Sequence, residues 1–135
     1  MAYWNKEKPL STGPAAWRES VALACRWMID RSLIATKEPP FTDSHYTHLH
    51  RFSDWRGAFR GEYAAASSRW DVFCPIWHGG QGVKALALAY AVLNDEEYLA
   101  SARLAADFIL RHRIGEPDHP EFGLILGYED AGCGV

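Results

Sequence analysis

The chain has 135 residues, of which 48% are hydrophobic and 23% charged, and its formal net charge is −3 at pH 7. This length and composition are typical of one globular domain with a core of its own. The basic residues are scattered, no apolar run reaches the roughly 20 residues that cross a bilayer, and the polar residues 1–8 carry no signal-peptide core. We therefore expect a cytoplasmic protein with no nucleic-acid or membrane partner, and composition leaves its oligomeric state open.

The first predicted element is a helix over residues 15–34, after an N-terminal segment of residues 1–14. Thr12-Gly-Pro14 supplies a capping hydroxyl and a proline for the first helical turn. Apolar and small residues then recur at helical spacing; they are Trp17, Val21, Ala24, Cys25, Met28 and Ser32. We expect Trp17 and Trp27 to anchor the core.

Residues 35–79 are predicted to be a long loop. The stretch Glu38-Pro-Pro-Phe41 ends any helical continuation, because each proline restricts the residue before it and removes a hydrogen-bond donor. From Thr36 to Gly79 there is neither a sustained helical period nor a clean alternation, although residues 61–66 suit a short helical turn. The loop is rich in aromatic residues, which argues against disorder, and loops of this length are often functional.

Residues 80–113 are predicted to form a helical hairpin. Every residue from Val83 to Leu93 is apolar except Lys84, so we expect this inner helix to be buried on all sides. Asp95 suits the N-cap of an outer helix. The outer helix has an apolar stripe of Tyr98, Leu99, Ala102, Ala105, Ala106, Ile109 and Leu110. Its predicted solvent-exposed face consists of Glu97, Ser101, Asp107 and Arg111.

The stretch WHGGQGVKALALAYAVLNDEEYLASARLAADFIL resembles the repeating hairpin of the six-hairpin glycosidases, the (α/α)6 toroid enzymes. Among these, the glucuronyl hydrolases and the C-terminal domain of glucuronyl C5-epimerases are the most similar. The resemblance extends from about Trp70 to Tyr128, although alanine-rich hairpins with an acidic turn also occur in helical repeat scaffolds. It implies an all-α fold that is part of a toroid of antiparallel hairpins, with a long aromatic-rich loop.

A complete toroid has about twelve helices, whereas this chain offers three clear ones. The resemblance therefore implies that residues 1–135 are a single, incomplete domain, in which residues 114–135 lead as a loop to a missing helix. A stand-alone domain is the alternative. In an incomplete toroid one side of the inner helix would be an exposed apolar patch, and the isolated protein would aggregate or oligomerise.

Loops before the inner helices line the sugar cleft in toroid enzymes, which would place residues 70–82 at the cleft. Trp70 and Trp77 suit stacking against sugar rings, although packing beneath a loop is the commoner role for tryptophan. His78 suits hydrogen bonding or proton transfer, unless it is a capping or core histidine. Gln81 would direct its amide into the cleft, or else be a solvated residue at the helix start.

Two carboxylates are predicted to be the catalytic pair. Asp71 is the first, and its alternative role is an Asx turn or a local cap. Glu129 and Asp130 form a second acidic point beside Tyr128, which would lie before a further inner helix or act as its cap. The resemblance alone favours Asp130 as the catalytic member, leaving Tyr128 and Glu129 as substrate-binding residues.

Two further clusters lie in the predicted loop. His45, His48 and His50, with Asp43 and Asp54 nearby, suggest a metal site, but structural zinc sites prefer fixed spacings with cysteine partners, so we expect no metal and no cofactor. The cysteines, Cys25, Cys74 and Cys133, form no CxxC motif, and we expect reduced thiols. Four arginines suit bidentate binding of a uronic-acid carboxylate, or are surface charges; they are Arg51, Arg56, Arg60 and Arg69.

The predicted function is that of a carbohydrate-active, glycoside-hydrolase-like enzyme whose cleft carboxylates act on an oligosaccharide, which the arginines suggest contains uronic acid. Two alternatives stay open. One is a non-catalytic helical-hairpin module that binds a glycan or a protein through its tryptophan-rich loop. The other is a sugar epimerase on the same fold, which would keep the cleft and change the chemistry.

Overall fold

The computed structural model describes residues 13–37, 52–71 and 75–125. These residues are mostly helical. They form α1 (Pro14–Trp27), a π-helical turn (Met28–Ser32), the short strands β1 (Glu62–Ala64) and β2 (Arg69–Asp71), α2 (Pro75–Leu93) and α3 (Glu96–Arg111).

Helix α1 begins at Pro14, and its N-cap, Gly13, has a φ of 111° and makes no side-chain capping bond. Thr12, the predicted capping residue, lies outside the described residues. The helix continues into one π turn, in which the Leu33 amide donates to the carbonyl oxygen of Met28 at 2.9 Å. The predicted helix over residues 15–34 is thus confirmed in position but ends at Ser32, because Leu33 turns into extended backbone and pairs with Phe59.

The predicted loop over residues 35–79 is wrong in two places. Residues 61–66 do not form a helical turn, because β1 pairs with β2 in an antiparallel hairpin that matches Tyr63 with Trp70 and Glu62 with Asp71. Helix α2 also begins at Pro75 rather than near residue 80. Proline suits the first turn of a helix, since its missing N–H has no partner to lose there.

Residues 55–60 lie beside residues 32–37 and are held there by backbone hydrogen bonds. The Ile34 amide donates to Ala58, the Gly57 amide to Ile34 and the Arg60 amide to Ser32, at 2.9 to 3.0 Å. Gly57 has a φ of 93°, and a Cβ atom there would lie 2.2 Å from the backbone oxygen of Leu104. Glycine therefore allows this segment to pass directly against α3.

Helices α2 and α3 form the predicted antiparallel hairpin. Only Asn94 and Asp95 separate them, and Gly79 near the start of α2 lies beside Ile109 near the end of α3. Asp95 is the N-cap of α3, as predicted: its carboxylate accepts from the Glu97 amide at 3.0 Å. Arg26 of α1 pairs with Asp95 and Glu97, which ties α1 to the hairpin turn.

The core consists of two clusters of buried side chains. The first joins α1, α2 and α3 through Cys25, Leu33, Phe59, Leu86, Ala89, Tyr98, Ala102 and Ala105. The second lies at the other end of the hairpin and contains Ile34, Trp55, Ala58, Ile76 and Phe108. Phe59 reaches α2 at Gly82, where a Cβ atom would lie 2.4 Å from the Phe59 ring.

Several burial predictions are wrong. Helix α2 is not buried on all sides, because its neighbours cover only one face and leave Leu88 and Val92 exposed. Trp17 and Trp27 are not core anchors, since they are 72% and 49% exposed. On α3, Ser101 is buried because it lies one turn after Tyr98 on the packed stripe, whereas Leu110 falls outside that stripe and is exposed.

Candidate functional site

A shallow groove lies between the first turns of α2 and the end of α3. Its volume is about 340 Å³, near the lower end of the range of roughly 300 to 1,000 Å³ for small-ligand pockets. The lining residues are Ile76, Trp77, Gly80, Gln81, Lys84 and Ile109. We call this feature the Trp77 groove.

The polar and aromatic residues of the groove come from one face of α2. Trp77, Gln81 and Lys84 are separated by four and then three residues, which is the spacing of side chains on the same helix face. Trp77 therefore belongs to a helix, not to the loop that the sequence predicts, whereas Gln81 and Lys84 fall within the predicted hairpin. A helix holds its side chains at defined positions, so this part of the site is formed before any ligand binds.

Trp77 is 51% exposed. Its ring contacts that of His78, with the centroids 5.0 Å apart at an interplanar angle of 62°. His78 is half-buried. Gly80 has no atom within 4 Å of an added Cβ position, so the absence of a side chain there keeps the groove open between Trp77 and Lys84.

The surface of the groove is almost entirely apolar, and two of its lining residues, Gln81 and Lys84, end in polar groups. The Gln81 amide offers donors and an acceptor, and the Lys84 ammonium offers a positive charge. Among the described residues, none that lines the groove carries a carboxylate. The described part of the site can thus bind and orient a ligand, whereas an acid or base for catalysis would have to come from elsewhere.

Trp70 lies in a different environment, which we call the Trp70 cluster and define as Trp27, Arg60, Tyr63 and Trp70. The Trp70 ring centroid lies 5.3 Å from that of Trp27 and 4.9 Å from that of Tyr63. The Arg60 guanidinium lies over the same ring at 5.7 Å. The contact with Trp27 attaches the β-hairpin to the end of α1, and the contact with Tyr63 joins the two strands. Trp70 therefore packs within this cluster rather than beside Trp77.

Of the two predicted catalytic aspartates, Asp71 and Asp130, only Asp71 is among the described residues. Asp71 is the last residue of β2, and its Cα is paired with that of Glu62. Four residues span at most about 14 Å, so the Asp71 Cα lies within that distance of Pro75, at the groove end of α2. Tyr128, Glu129 and Asp130 lie outside the described residues.

Two of the predicted carboxylate-binding arginines are already engaged within the chain. Arg56 donates through Nε to both carboxylate oxygens of Asp54 at 3.0 Å, and this pairing holds the pKa of Asp54 well below its usual range. Arg60 donates to the Arg31 carbonyl and covers Trp70. Arg69 is exposed on β2, and Arg51 lies outside the described residues.

The histidine cluster of His45, His48 and His50, with Asp43, also falls outside the described residues. Within residues 13–37, 52–71 and 75–125, no group of three or more metal-ligating side chains could hold an ion. None of the helices in these ranges is long and apolar enough to span a bilayer.

Sequence reasoning missed Lys84, Ile76 and Ile109 as lining residues, and it assigned Trp27 to the core rather than to the Trp70 cluster. A signal for Lys84 was present, because it is the one polar residue in the run from Val83 to Leu93 and follows Trp77 by two helical turns. No comparable signal marks Ile109, since the approach of α3 to Gly79 brings it to the groove.

In comparisons with protein-family models, curated proteins and solved structures, nothing matches this chain. The resemblance to six-hairpin glycosidases accordingly depends only on the residues of the hairpin and its acidic turn.

Proposed function

We propose that the chain binds an oligosaccharide in the Trp77 groove and is part of a carbohydrate-active, glycoside-hydrolase-like enzyme. The observation that carries the proposal is the position of Trp77, a half-exposed ring in an apolar groove that Gln81 also lines. Sugar rings present apolar C–H faces and polar hydroxyl edges. A flat aromatic surface with an amide beside it is complementary to both.

We further propose that the hairpin of α2 and α3 is one unit of an (α/α)6 toroid. The exposed apolar face of α2, which includes Leu88 and Val92, supports this arrangement, because inner helices of a toroid are covered by neighbouring hairpins. The cytoplasmic location expected from the polar N-terminus stays a prediction.

In this proposal Asp71 and Asp130 are the catalytic carboxylates. Support for Asp71 is its position at the end of β2, four residues before α2, and support for Asp130 is the family resemblance. Their carboxyl groups would be about 5 to 5.5 Å apart for a nucleophilic mechanism, or about 6.5 to 9.5 Å apart where a water molecule must fit between them.

Binding is tested with the whole chain and a panel of neutral and acidic oligosaccharides, using titration calorimetry. Trp77→Ala should weaken binding about tenfold, which corresponds to about 1.4 kcal/mol. Trp17→Ala is the matched control, because Trp17 is also exposed but lies on α1 outside the groove. Equal affinities in both variants, or no binding of any oligosaccharide by the wild type, would contradict the proposal.

Turnover is tested by the release of reducing ends. Asp71→Asn and Asp130→Asn should each lower turnover by orders of magnitude and leave the melting temperature nearly unchanged, since a cleft acid acts on the transition state more than on the fold. A variant that keeps its turnover but melts several degrees lower would identify that aspartate as a structural cap.

A non-catalytic binding module is the second candidate function. The observation that favours it is that the described residues of the groove include no carboxylate. Tight binding without release of reducing ends would support this module. An epimerase would instead incorporate solvent deuterium into the sugar ring without cleaving it.

A further inference from the structure

Helix α1 carries exposed apolar side chains on a side that α2 and α3 do not cover. Trp17 is 72% exposed, Leu23 65% and Trp27 49%. We call this surface the Trp17 face, and its exposed residues are Trp17, Ser20, Val21, Leu23, Ala24 and Trp27. Side chains three and four residues apart are neighbours on a helix, so these residues form one continuous surface.

The charged residues of α1 lie outside the Trp17 face. The helix contains Arg18, Glu19 and Arg26. Arg18 donates to the Val92 carbonyl at 3.1 Å, and Arg26 forms an ion pair with Glu97, so both arginines are directed toward the hairpin of α2 and α3. Charged residues are depleted at the centre of protein interfaces, and the composition of the Trp17 face agrees with such a centre.

The uncovered area is large for a single chain. A tryptophan presents up to about 250 Å², so Trp17 and Trp27 alone leave about 300 Å² uncovered. Contiguous apolar patches of this size mark interaction surfaces. A standard interface buries about 800 Å² on each partner. The two tryptophans supply more than a third of that area, and Leu23 and Val21 enlarge the apolar part.

The pattern of the Trp17 face is nearly the same in both chain directions. About a centre at residue 22, the face has tryptophan five residues away on either side, a small residue two away and an aliphatic residue one away. The pairs are Trp17 with Trp27, Ser20 with Ala24, and Val21 with Leu23. A two-fold interface uses the same patch on both subunits and must be complementary to itself.

An antiparallel pair of α1 helices uses this symmetry. Ser20 of one copy lies opposite Ala24 of the partner subunit, and the small side chains there allow the helix axes to approach to about 8 Å. Trp17 of one copy lies opposite Trp27 of the partner subunit and covers the flank. We propose that the Trp17 face is the interface of a two-fold symmetric homodimer, in which α1 packs antiparallel on α1 of a second copy.

The Trp17 face is separate from the Trp77 groove. Helix α1 contacts the hairpin near Val92 and Glu97, at the turn between α2 and α3, whereas the groove lies at the first turns of α2. The dimer therefore leaves the groove accessible, and this inference does not rest on the proposed sugar binding.

The test measures the oligomeric state of the whole chain by analytical ultracentrifugation over a range of protein concentrations. The wild type should be a dimer that dissociates on dilution. Ala24→Glu brings like charges of the two copies together near the two-fold axis and should raise the dissociation constant about tenfold or more. Trp17→Ala should raise it about tenfold. Ala87→Glu is the matched control, because Ala87 is exposed on α2, and it should leave the dimer unchanged.

A charge exchange tests the antiparallel arrangement. Ser20→Lys alone should weaken the dimer, and Ser20→Lys combined with Ala24→Glu should restore it, because position 20 of one copy faces position 24 of the other. In a parallel dimer equal positions would face each other, so the double variant would stay dissociated. That result would overturn the proposed arrangement.

A wild type that stays monomeric at every concentration would overturn the dimer. If Ala24→Glu then melts at a lower temperature than Ala87→Glu, a segment of the same chain covers the Trp17 face. Dissociation by Ala87→Glu but not by Ala24→Glu or Trp17→Ala would place the interface on α2 instead. Assemblies of more than two copies would exclude an isologous contact, which closes at two. Circular dichroism of each variant checks that the fold is unchanged.

Discussion

Helix α2 carries apolar side chains on two faces that differ in their surroundings. On the packed face, Gly82, Leu86 and Ala89 are buried against Phe59, α1 and α3. On the open face, Trp77 and Leu88 are more than half exposed, and the groove lies at its N-terminal end. Both faces carry large apolar side chains, although Gln81 and Lys84 lie on the open one, so the presence of apolar residues alone did not decide which face forms the core.

The same contrast separates the two tryptophans of the predicted loop. Trp70 is surrounded by Trp27, Tyr63 and Arg60 and stabilises the β-hairpin, whereas Trp77 has solvent on its exposed half. An aromatic residue is available to a ligand only where the fold leaves one side of its ring uncovered. Experiments that compare paired positions on the two faces of α2 test this distinction.

The largest effect should come from truncating leucine on the packed face. Leu86 is 0% exposed, so Leu86→Ala should lower the free energy of unfolding by about 2 to 5 kcal/mol through lost burial and a cavity. Leu88→Ala is the matched change on the open face and should cost less than about 1 kcal/mol, because Leu88 is 59% exposed. Urea unfolding followed by circular dichroism measures both. Similar losses would mean that both faces of α2 are covered in solution.

Two glycines of α2, one on each face, provide a second pair of positions to compare. Gly82→Ala should destabilise the protein by about 1 to 3 kcal/mol, because the new methyl group would overlap the buried Phe59 ring. Gly80→Ala should stabilise it by about 0.5 to 1 kcal/mol, since Gly80 is open to solvent inside a helix. Thermal unfolding of the two variants should therefore shift in opposite directions. A stable Gly82→Ala protein would show that Phe59 does not pack on α2.

A smaller effect is expected at the hairpin turn, which starts the helix that covers the packed face. Asp95→Ala removes the acceptor for the Glu97 amide and should lower the free energy of unfolding by about 1 kcal/mol. Asp95→Asn is the control, because asparagine is an equally good N-cap. Oligosaccharide binding should be unchanged in both, since the groove lies at the opposite end of α2. A loss of binding in Asp95→Ala would show that the groove depends on the turn.

The smallest expected effect is a change of stability with pH, caused by a histidine at the C-terminal end of α3. The His112 ring contacts the rings of Phe52 and Phe108, with centroid distances of 4.3 and 4.5 Å, and burial lowers its pKa below the ordinary 6.5. The unfolded chain then takes up the proton at a higher pH than the folded chain does. Stability should consequently fall as the pH drops below about 6.5, until the native pKa is passed.

His112→Gln should reduce that loss of stability between pH 7 and pH 5, as measured by urea unfolding at each pH. His119→Gln changes an exposed histidine and should leave the loss in place. An equal loss in the wild type and in His112→Gln would exclude His112 as its source.

Local patterns in the sequence were sufficient to predict the helices and the turn between α2 and α3. Apolar spacing, the proline at the start of α1 and the acidic N-cap of α3 act within a few residues, so they predict helix positions and the cap at Asp95. The β-hairpin was missed because its strands have three residues each, too few to show alternation. Tyr63 and Trp70 pair across its turn, and pairing between strands leaves no local pattern.

Within the candidate site, the sequence by itself determined which residue types are present: Trp77, His78 and Gln81 at the start of an apolar helix. Only the tertiary structure decided their surroundings, because burial depends on which element packs against each face. Phe59 and α3 cover the face of Gly82 and Leu86. Ile109, which lies on α3 and follows Lys84 by 25 residues in the sequence, lines the other side of the groove. Apolar side chains on both faces of a helix do not by themselves determine which face its neighbours will cover.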